Sequence, residues 1–457
     1  MSFSVYFISG CKAGTTFEYR ILQKQEQLAA HGIHSVARQD LTGGERLLLR
    51  EVAAHDILYL YRIAYSPLLE SLIAQARALG IPVIFGTDDL VFEPEEVRHV
   101  DPVRAMGDEE AALYYEGVWR YRRTLLASDA VITSTGYLAD RARTLGKPAF
   151  VHRNGLSGWM ITEADKRMQQ SPARPADGKI IIGYGSGTAT HRKDLAEAAE
   201  GLARVLARHP HVELHIVGAL HPGDDPALPD ELRPFAGRIR HRPAVPWRDW
   251  LAVQRTFDIN LAPLEAGNPF CDAKSEIKYT EAAIVGVPTV ASRTAAFEFA
   301  IRDGETGFLA GNTDEWAAKL EALVTDASLR RRMGEAARAD VLARYAPETM
   351  GQQLVETLSA IRALRRPQIH PASNPAPDET PLILNWIFPE PMPGSGGHTD
   401  IIRMMNLLAG FGHRVNAYIV PRQRLWDKSD LEVRQFVHRH FAPLNGGVFK
   451  WNEGPMV

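Results

Sequence analysis

Short, wholly apolar runs alternate with longer segments of helical periodicity, and this alternation limits the folds open to the chain. Ser4–Ser9, Ile57–Tyr61 and Ala130–Thr133 are such runs, and Thr15–His31 has the period of an amphipathic helix. Strands that are apolar on both faces and are separated by helices indicate a parallel sheet covered on both sides. We therefore predict a Rossmann-like domain over residues 1–160.

The same alternation begins again in the second half of the chain. A polar stretch near residues 157–178 precedes it and is interpreted as an interdomain connection. Ile180–Gly183, Val212–Val217 and Thr289–Ser292 are then predicted strands. The predicted fold class is α/β, with two facing, doubly wound, parallel-sheet domains over residues 1–160 and 175–345. The helix over residues 346–365 is expected to cross back to the first domain.

A third segment follows the second predicted domain. Residues 366–380 are rich in proline and polar side chains and are interpreted as a linker. Residues 381–457 contain an apolar run, a glycine-containing loop and a helical segment, in the same order as the start of the chain. This weak repeat predicts a partial third βαβ unit, the truncated start of a second, related module of marginal stability.

Composition restricts the environment and the partners. The chain has 457 residues, a formal net charge of −3 and only two cysteines, Cys11 and Cys271. The charge gives no indication of nucleic-acid binding, and the cysteine count fits a reducing compartment. Neither a signal peptide nor an apolar run of membrane-spanning length is evident. A cytoplasmic protein is expected, with peripheral contact at the inner membrane left open.

The segment Phe257–Ser292 carries the most informative pattern. It predicts a strand, a loop, a helix with Ser275 as its N-cap, and a second strand after a Gly-Val-Pro turn. Lys274, Lys278 and Glu281 have the spacing of one helical stripe. A helix N-terminus with two lysines suits a diphosphate, and a glutamate two turns further along suits a ribose diol. The alternative is a solvated helix face with an ordinary ion pair.

A second loop, in Ile180–Asp194, combines glycines, hydroxyls and positive charge directly after an apolar strand. Such a loop can bind an anion, although a simple capped turn explains it equally well. Its candidate anion-binding residues are Gly185, Ser186, Gly187, Thr188, His191 and Arg192, with Lys193 as a further cation.

In the first domain, three places follow predicted parallel strands. Gly10, Gly14 and Thr15 lie in the first strand–helix loop, Arg62 follows Ile57–Tyr61, and Asp88 and Asp89 follow Pro82–Phe85. The carboxyl ends of parallel strands are where open α/β sheets bind ligands. Helix or turn capping is the alternative role for the two aspartates.

Taken together, these segments resemble retaining glycosyltransferases of family 4, which have the GT-B fold. The resemblance is carried by F-x-x-A-K-S-x-x-K-x-x-E at Phe270–Glu281 and by G-Y-x-S-G-T-x-T-H-x-x-D ending at Asp194. The family has two glutamates separated by seven residues. Glu281 matches the second, and Ala273 occupies the position of the first, with Asp272 as the neighbouring carboxylate.

The resemblance implies a transfer of sugar from a nucleotide-diphosphate donor to a glycan or lipid-linked glycan acceptor, with retention of configuration. The product expected is a surface polysaccharide such as an O-antigen, and rhamnose and mannose are the candidate sugars. Catalytic roles fall to Asp89, Arg62 and Asp88, and no cofactor or metal is expected. Two alternatives are a GT-B nucleotide-sugar epimerase and a non-catalytic carbohydrate- or nucleotide-binding scaffold.

Overall fold

The computed structural model describes most of the chain, in two compact units, Met1–Leu364 and Arg365–Val457. The described residues are 3–11, 14–42, 44–100, 103, 106–169, 178–187, 193–220, 228–364, 383–392, 396–410, 414–420, 425, 427–441 and 447–450. Within the first unit, the elements around each of its two large sheets are called the first lobe and the second lobe.

The first lobe is a six-stranded parallel sheet with the order β2-β1-β3-β4-β5-β6. The strands are Ser4–Ser9 (β1), His34–Arg38 (β2), Ile57–Tyr61 (β3), Val83–Thr87 (β4), Ala130–Thr133 (β5) and Ala149–Val151 (β6). The helical segments are Thr15–Phe17, Glu18–Leu22, Gln23–Ala30, Glu45–Ala53, Pro67–Ala78, Pro94–His99, Asp108–Ala127 and Gly136–Thr144. β3 and β4 are buried along their whole length, as expected for strands covered on both faces.

The second lobe has the order β12-β11-β10-β7-β8-β9, also with parallel pairing. Its strands are Ile180–Gly185 (β7), Val212–Val217 (β8), Ile239–Arg242 (β9), Ile259–Ala262 (β10), Thr289–Ser292 (β11) and Phe308–Ala310 (β12). Its helices are Ala196–Arg208, Asp230–Arg238, Trp247–Gln254, Pro269–Asp272, Ile277–Ile284, Ala295–Ala300, Thr313–Thr325 and Ala327–Tyr345. The strand order reverses between β7 and β10. Doubly wound sheets commonly bind ligands in the crevice at such a point, which is called here the β7/β10 crevice.

Two helices cross between the lobes. Gly158–Gln169 follows the first sheet, but its buried residues Met160 and Ala164 pack with the second-lobe core. Pro347–Ala363 follows the second sheet, but Leu354 and Leu358 pack with the first-lobe core.

The structure differs from the sequence predictions in three respects. Residues 158–169 form a helix, where we expected a connection, because Met160 and Ala164 provide a buried apolar face. The segment Thr15–His31 is helical over Thr15–Ala30, as predicted, but it includes the π-helical turn Glu18–Leu22. The edge strands β2 and β12 were missed. The strand predictions relied on apolar runs. β2 and β12 give little of that signal, because β2 contains no fully buried residue and β12 has only three residues.

The second unit has a three-stranded parallel sheet with the order β13-β14-β15 and its own apolar core. Its strands are Ile383–Pro389 (β13), Arg414–Val420 (β14) and Gly447–Lys450 (β15), and its helices are Gly396–Gly410 and Asp430–His440. The βαβ start predicted from the sequence is therefore present. Linker residues 366–380 lie outside the described residues.

Candidate active site between the lobes

A cavity of about 280 Å³ lies at the β7/β10 crevice of the second lobe. Five of the predicted site residues line it, together with the apolar side chains of Val217, Val245 and Trp250. Those five are Thr15, Gly185, Gly187, Lys278 and Glu281. Residues predicted from three separate segments of the sequence thus meet in one place.

Lys278 has no hydrogen-bond partner for its ammonium group among the described residues, although Nζ is buried. The nitrogen lies 4.8 Å from the centre of the Tyr184 ring. Burial lowers the pKa of Lys278, and the carboxylate of Asp194 opposes that shift. A buried amine without a hydrogen-bonding anion is costly unless a ligand supplies one.

Glu281 lies on the same helix one turn further along and is buried. Its Oε1 accepts a 2.7 Å hydrogen bond from the Tyr19 hydroxyl, and its Oε2 accepts a 2.8 Å hydrogen bond from Trp250 Nε1. Burial raises the pKa of Glu281, while these two hydrogen bonds and Lys278 oppose the shift. The carboxylate is thus held at the cavity wall by one donor from each lobe.

Ser275 was predicted to cap the helix, and this prediction was wrong. The helix is Ile277–Ile284, with Glu276 at the N-cap position and no side-chain cap. The Ser275 hydroxyl instead accepts a 2.8 Å hydrogen bond from Asn154 of the segment between the lobes. A preceding short helix ends at Asp272, so residues 273–276 form the turn that separates the two helices.

Lys274 therefore does not share a helical stripe with Lys278 and Glu281, contrary to the prediction. It lies before the helix, and its Nζ donates a 2.6 Å hydrogen bond to Asp89 Oδ1 of the first lobe. Burial opposes the charge on Lys274, but Asp89 outweighs it and raises the pKa of the lysine.

Asp88, Asp89 and Arg62 meet at the carboxyl ends of β3 and β4. Arg62 Nη1 lies 3.1 Å from Asp89 Oδ2 and 3.4 Å from Asp88 Oδ1, and the Tyr61 hydroxyl donates a hydrogen bond to Asp88. Burial opposes the Arg62 charge, but both aspartates raise its pKa. Arg62 has a φ of 45°, which among the described residues is the single positive φ outside glycine. Such strain commonly occurs at functional sites.

Gly10 lies where the backbone after β1 comes very close to the backbone after β3. A Cβ at this position would lie 2.1 Å from the carbonyl oxygen of Arg62. Gly10 N donates a 2.8 Å hydrogen bond to the Tyr61 carbonyl. Gly10 therefore allows the backbone after β1 to approach the backbone after β3, which places Arg62.

Some of the remaining predicted site residues contact neighbouring loops, and others lie outside the described residues or away from the cavity. Ser186 is buried, and its hydroxyl accepts a 2.9 Å hydrogen bond from Leu220 N, so its contact is with the neighbouring loop. Lys193 lies 3.9 Å from Glu265. Thr188, His191 and Arg192 lie outside the described residues, and Gly14 is described but is not among the cavity-lining residues.

Ala273, where the resemblance predicts a glutamate, is completely buried and packs in a first-lobe cluster with Phe85, Leu90 and Phe92. Asp272 lines a neighbouring cavity with Arg293 and Asn312, and is absent from the described lining of the cavity that holds Glu281.

Sequence reasoning missed Tyr19, Trp250 and Tyr61, which contact predicted site residues. It also missed the ion pair between Arg153 and Glu276, at 3.0 Å, in the segment joining the lobes. Each partner comes from a distant part of the chain, so no local spacing indicated the contact.

Comparison with known proteins agrees with this architecture. Residues 178–326, which lie in the second lobe, match the family described as glycosyl transferases group 1. The Anabaena HepE protein, solved with UDP and glucose, superposes with a TM-score of 0.51 at 15% identity, over 78% of this chain and 100% of that one. That likeness is one of fold, and the fold of the first unit is of the GT-B type.

Two curated relatives are glycosyltransferases. The phosphatidyl-myo-inositol mannosyltransferase of Mycobacterium leprae is 29% identical over 219 residues, which are 48% of this chain and 55% of that protein. The lipopolysaccharide core biosynthesis glycosyltransferase LpsE of Rhizobium meliloti is 23% identical over 272 residues, 56% of this chain and 69% of that protein. The chain thus spans about half the length of the mycobacterial relative.

Neither a membrane-spanning helix nor a cluster of metal-binding side chains is found among the described residues. None of the helices combines the length and apolarity that a membrane crossing needs, within the ranges given above. Among those same residues, His, Cys, Asp and Glu side chains do not gather in any group of three or more that could hold a metal ion.

Proposed function

We propose that the chain is a retaining glycosyltransferase that moves a hexosyl group from a nucleotide-diphosphate sugar to a glycan or lipid-linked glycan. The observation that carries the proposal is the buried, unpartnered ammonium of Lys278 beside Glu281 in the β7/β10 cavity. An ammonium there suits a diphosphate, and a carboxylate one helical turn away suits a ribose diol. The match of residues 178–326 to group 1 glycosyltransferases and the glycosyltransferase relatives support the same class of enzyme.

The reaction proposed breaks the bond between the anomeric carbon and the diphosphate oxygen and forms a bond to the acceptor oxygen on the same face. Lys278 stabilises the negative charge that develops on the departing diphosphate. A phosphate oxygen of the leaving group takes the acceptor proton. The aspartate pair of the first lobe, held by Arg62 and Lys274, orients the acceptor hydroxyl. Mannose or rhamnose is the proposed sugar, and a surface polysaccharide is the proposed product.

A nucleotide-sugar screen by calorimetry tests the donor site. We expect one or more nucleotide-diphosphate sugars to bind the wild-type chain and Glu281→Ala to weaken that binding by about 10- to 100-fold, since a lost hydrogen bond to a charged group costs roughly 1.5–3 kcal/mol. Glu298→Ala is the matched control, because Glu298 is an exposed helical glutamate. The site assignment fails if no donor binds, or if both variants bind like the wild type.

A non-catalytic nucleotide-binding scaffold is the second candidate, and the buried Ala273 favours it. In the family that the sequence resembles, that position has a glutamate, whereas here it packs against Phe85 and Leu90. Incubation of the wild-type chain with bound donor and a broad acceptor panel separates the two. Release of nucleoside diphosphate together with a glycosylated acceptor supports the enzyme, and donor binding without turnover across the panel supports the scaffold.

A further inference from the structure

A π-helical turn in the first lobe brings three consecutive side chains to contacts beyond that lobe. In Glu18–Leu22 the helix is wider than in the flanking Thr15–Phe17 and Gln23–Ala30. Glu18 lies 3.7 Å from Arg248 of the second lobe, and Arg20 donates a 2.9 Å hydrogen bond to Asn154. Single π-helical turns occur frequently at functional sites, because they change where side chains point.

Tyr19, the middle residue of the three, contacts the donor cavity's carboxylate. Its hydroxyl donates the 2.7 Å hydrogen bond to Glu281 Oε1, and its ring lies edge-on to Trp247 at 5.7 Å. Tyr19 is 3% exposed. Burial and the negative charge of Glu281 raise the pKa of Tyr19 well above its ordinary value, so the hydroxyl keeps its proton and acts as the donor.

The two donors on Glu281 come from different lobes. Tyr19 donates to Oε1 from the first lobe, and Trp250 Nε1 donates to Oε2 from the second lobe at 2.8 Å. One hydrogen bond on each oxygen fixes the plane of the carboxylate and leaves each oxygen with further accepting capacity. Without Tyr19, Oε1 would lose this 2.7 Å donor, and the carboxylate could turn about its side-chain bond.

We propose that Tyr19 is a positioning residue for the nucleotide: it fixes the Glu281 carboxylate so that its remaining lone pairs receive both hydroxyls of a ribose. Ribose recognition then requires the first lobe in the position seen here, although the ribose site belongs to the second lobe. This inference rests on the proposed function, because it assumes a nucleoside diphosphate in the cavity. Tyr19 acts through Glu281 and makes no contact with the substrate.

A fixed carboxylate should distinguish a ribose from a deoxyribose. A buried acceptor aimed at a hydroxyl loses its partner when the hydroxyl is missing, whereas a mobile carboxylate can turn to the hydroxyl that remains. Tyr19→Phe should therefore reduce the preference for ribonucleotides, and a purely structural role for Tyr19 would weaken both classes of nucleotide equally.

The test uses calorimetry with UDP, GDP and ADP and their 2′-deoxy counterparts on the full chain. For the base that binds, we expect the wild type to prefer the ribonucleotide by about 10-fold or more, and Tyr19→Phe to reduce that preference to about threefold or less. Tyr6→Phe is the matched control, since it also removes a buried hydroxyl, one without a hydrogen-bond partner among the described residues. It should keep the wild-type preference.

A double-mutant cycle provides the second measurement. In the Glu281→Ala background, Tyr19→Phe should leave nucleotide affinity unchanged, because Tyr19 acts through Glu281. Equal losses in both backgrounds, or an unchanged ribose preference in the single variant, would overturn the inference while leaving the proposed function intact. If the wild type binds none of the nucleotides, the proposed function fails and the inference fails with it.

Discussion

Lys274 Nζ donates a 2.6 Å hydrogen bond to Asp89 Oδ1, and this contact joins the turn before the helix Ile277–Ile284 in the second lobe to the loop after β4 in the first. The other oxygen of Asp89 lies 3.1 Å from Arg62. One carboxylate is therefore held between two cations from opposite sides of the cleft. The arrangement fixes the side chain that we propose to orient the acceptor.

Asp89→Asn should reduce activity much more than stability. The amide keeps the shape of the side chain but removes the charge that Arg62 and Lys274 share. We expect kcat/KM to fall roughly 100-fold, which corresponds to about 2.7 kcal/mol of transition-state stabilisation. Asp89 and Lys274 are each about one third exposed, so the loss of unfolding free energy should stay near 1 kcal/mol. Steady-state kinetics and urea unfolding measure the two quantities.

The matched control is Asp314→Asn, which removes a carboxylate 2.7 Å from Arg204 on the surface. An exposed pair contributes about 1 kcal/mol or less, so this variant should keep wild-type kinetics. If Asp89→Asn behaved like Asp314→Asn in both assays, Asp89 would have no role in the reaction.

Ala273→Glu should destabilise the contact between the lobes. Ala273 is fully buried, its carbonyl accepts a 3.3 Å hydrogen bond from Thr135, and its neighbours include Phe85 and Leu90. A glutamate there would have to bury its carboxylate among these apolar side chains, and burial of an unpaired charge costs several kcal/mol. We expect a melting temperature at least about 5 °C lower than wild type.

Asp272→Glu is the control for the Ala273→Glu variant, because it lengthens the neighbouring side chain, which lines a separate cavity. Its melting temperature should stay close to that of the wild type. If Ala273→Glu were as stable as Asp272→Glu and gained activity, position 273 could accommodate the family's glutamate after all.

The α/β class and the repeated lobe could be predicted because central parallel strands such as β3 and β4 are apolar throughout. Edge strands carry less of that signal, which is why β2 and β12 were missed. The π-helical turn could not be anticipated either, because Glu18–Leu22 has no residue that breaks a regular helix. Contacts made after folding select that geometry.

Local spacing located the cavity residues but not their partners. Lys278 and Glu281 were found because one helix presents both, three residues apart. Lys274 was found for the wrong reason, since its contact is with Asp89, far away in sequence. Spacing within a segment indicates which side chains share a face, whereas pairing across a cleft depends on how two lobes approach each other.

Lys278→Met should stabilise the free protein and weaken diphosphate binding. The substitution removes a buried ammonium that has no hydrogen-bond partner among the described residues, and it keeps an unbranched apolar side chain. We expect the unfolding free energy to rise by about 1 kcal/mol and the affinity for a nucleoside diphosphate to fall roughly 10- to 100-fold. Affinity for the corresponding nucleoside, which has no phosphate, should not change. Equal losses for both ligands would contradict a phosphate role.

Lys24→Met should flatten the pH dependence of stability. Lys24 is 1% exposed; burial and the nearby Arg20 lower its pKa well below 10.5, while Asp88 opposes the shift. Between the lowered pKa and 10.5, the unfolded chain binds more protons than the folded chain, so the wild type's unfolding free energy rises with pH. The Lys24→Met variant lacks this titrating group, so its unfolding free energy lacks this pH-dependent contribution. Its advantage over the wild type should be largest at the lower pH values, near 1 kcal/mol or more, and should shrink toward pH 10.

Urea unfolding at several pH values between 6 and 10 gives both curves. Lys166→Met is the control, because that side chain is 62% exposed. Its curve should run parallel to that of the wild type. A Lys24→Met curve that also ran parallel to the wild type would mean that Lys24 titrates normally in the folded chain.

Gly10→Ala should be among the most damaging single-methyl additions in the first lobe. The new Cβ would lie 2.1 Å from the Arg62 carbonyl oxygen, which is backbone and cannot turn away. Relief requires β1 and β3 to separate at their carboxyl ends, and we expect a loss of at least about 2 kcal/mol in unfolding free energy. Gly117→Ala is the matched control, because Gly117 lies in the helix Asp108–Ala127 and, apart from its neighbours along that helix, no described residue lies within 4 Å of its added Cβ. That variant should gain about 0.5–1 kcal/mol in unfolding free energy.

Gly10→Ala should also displace Arg62 from the aspartate pair and so lose activity even at temperatures where it remains folded. A fully active, folded Gly10→Ala protein would show that the close approach of the two strand ends is not what places Arg62.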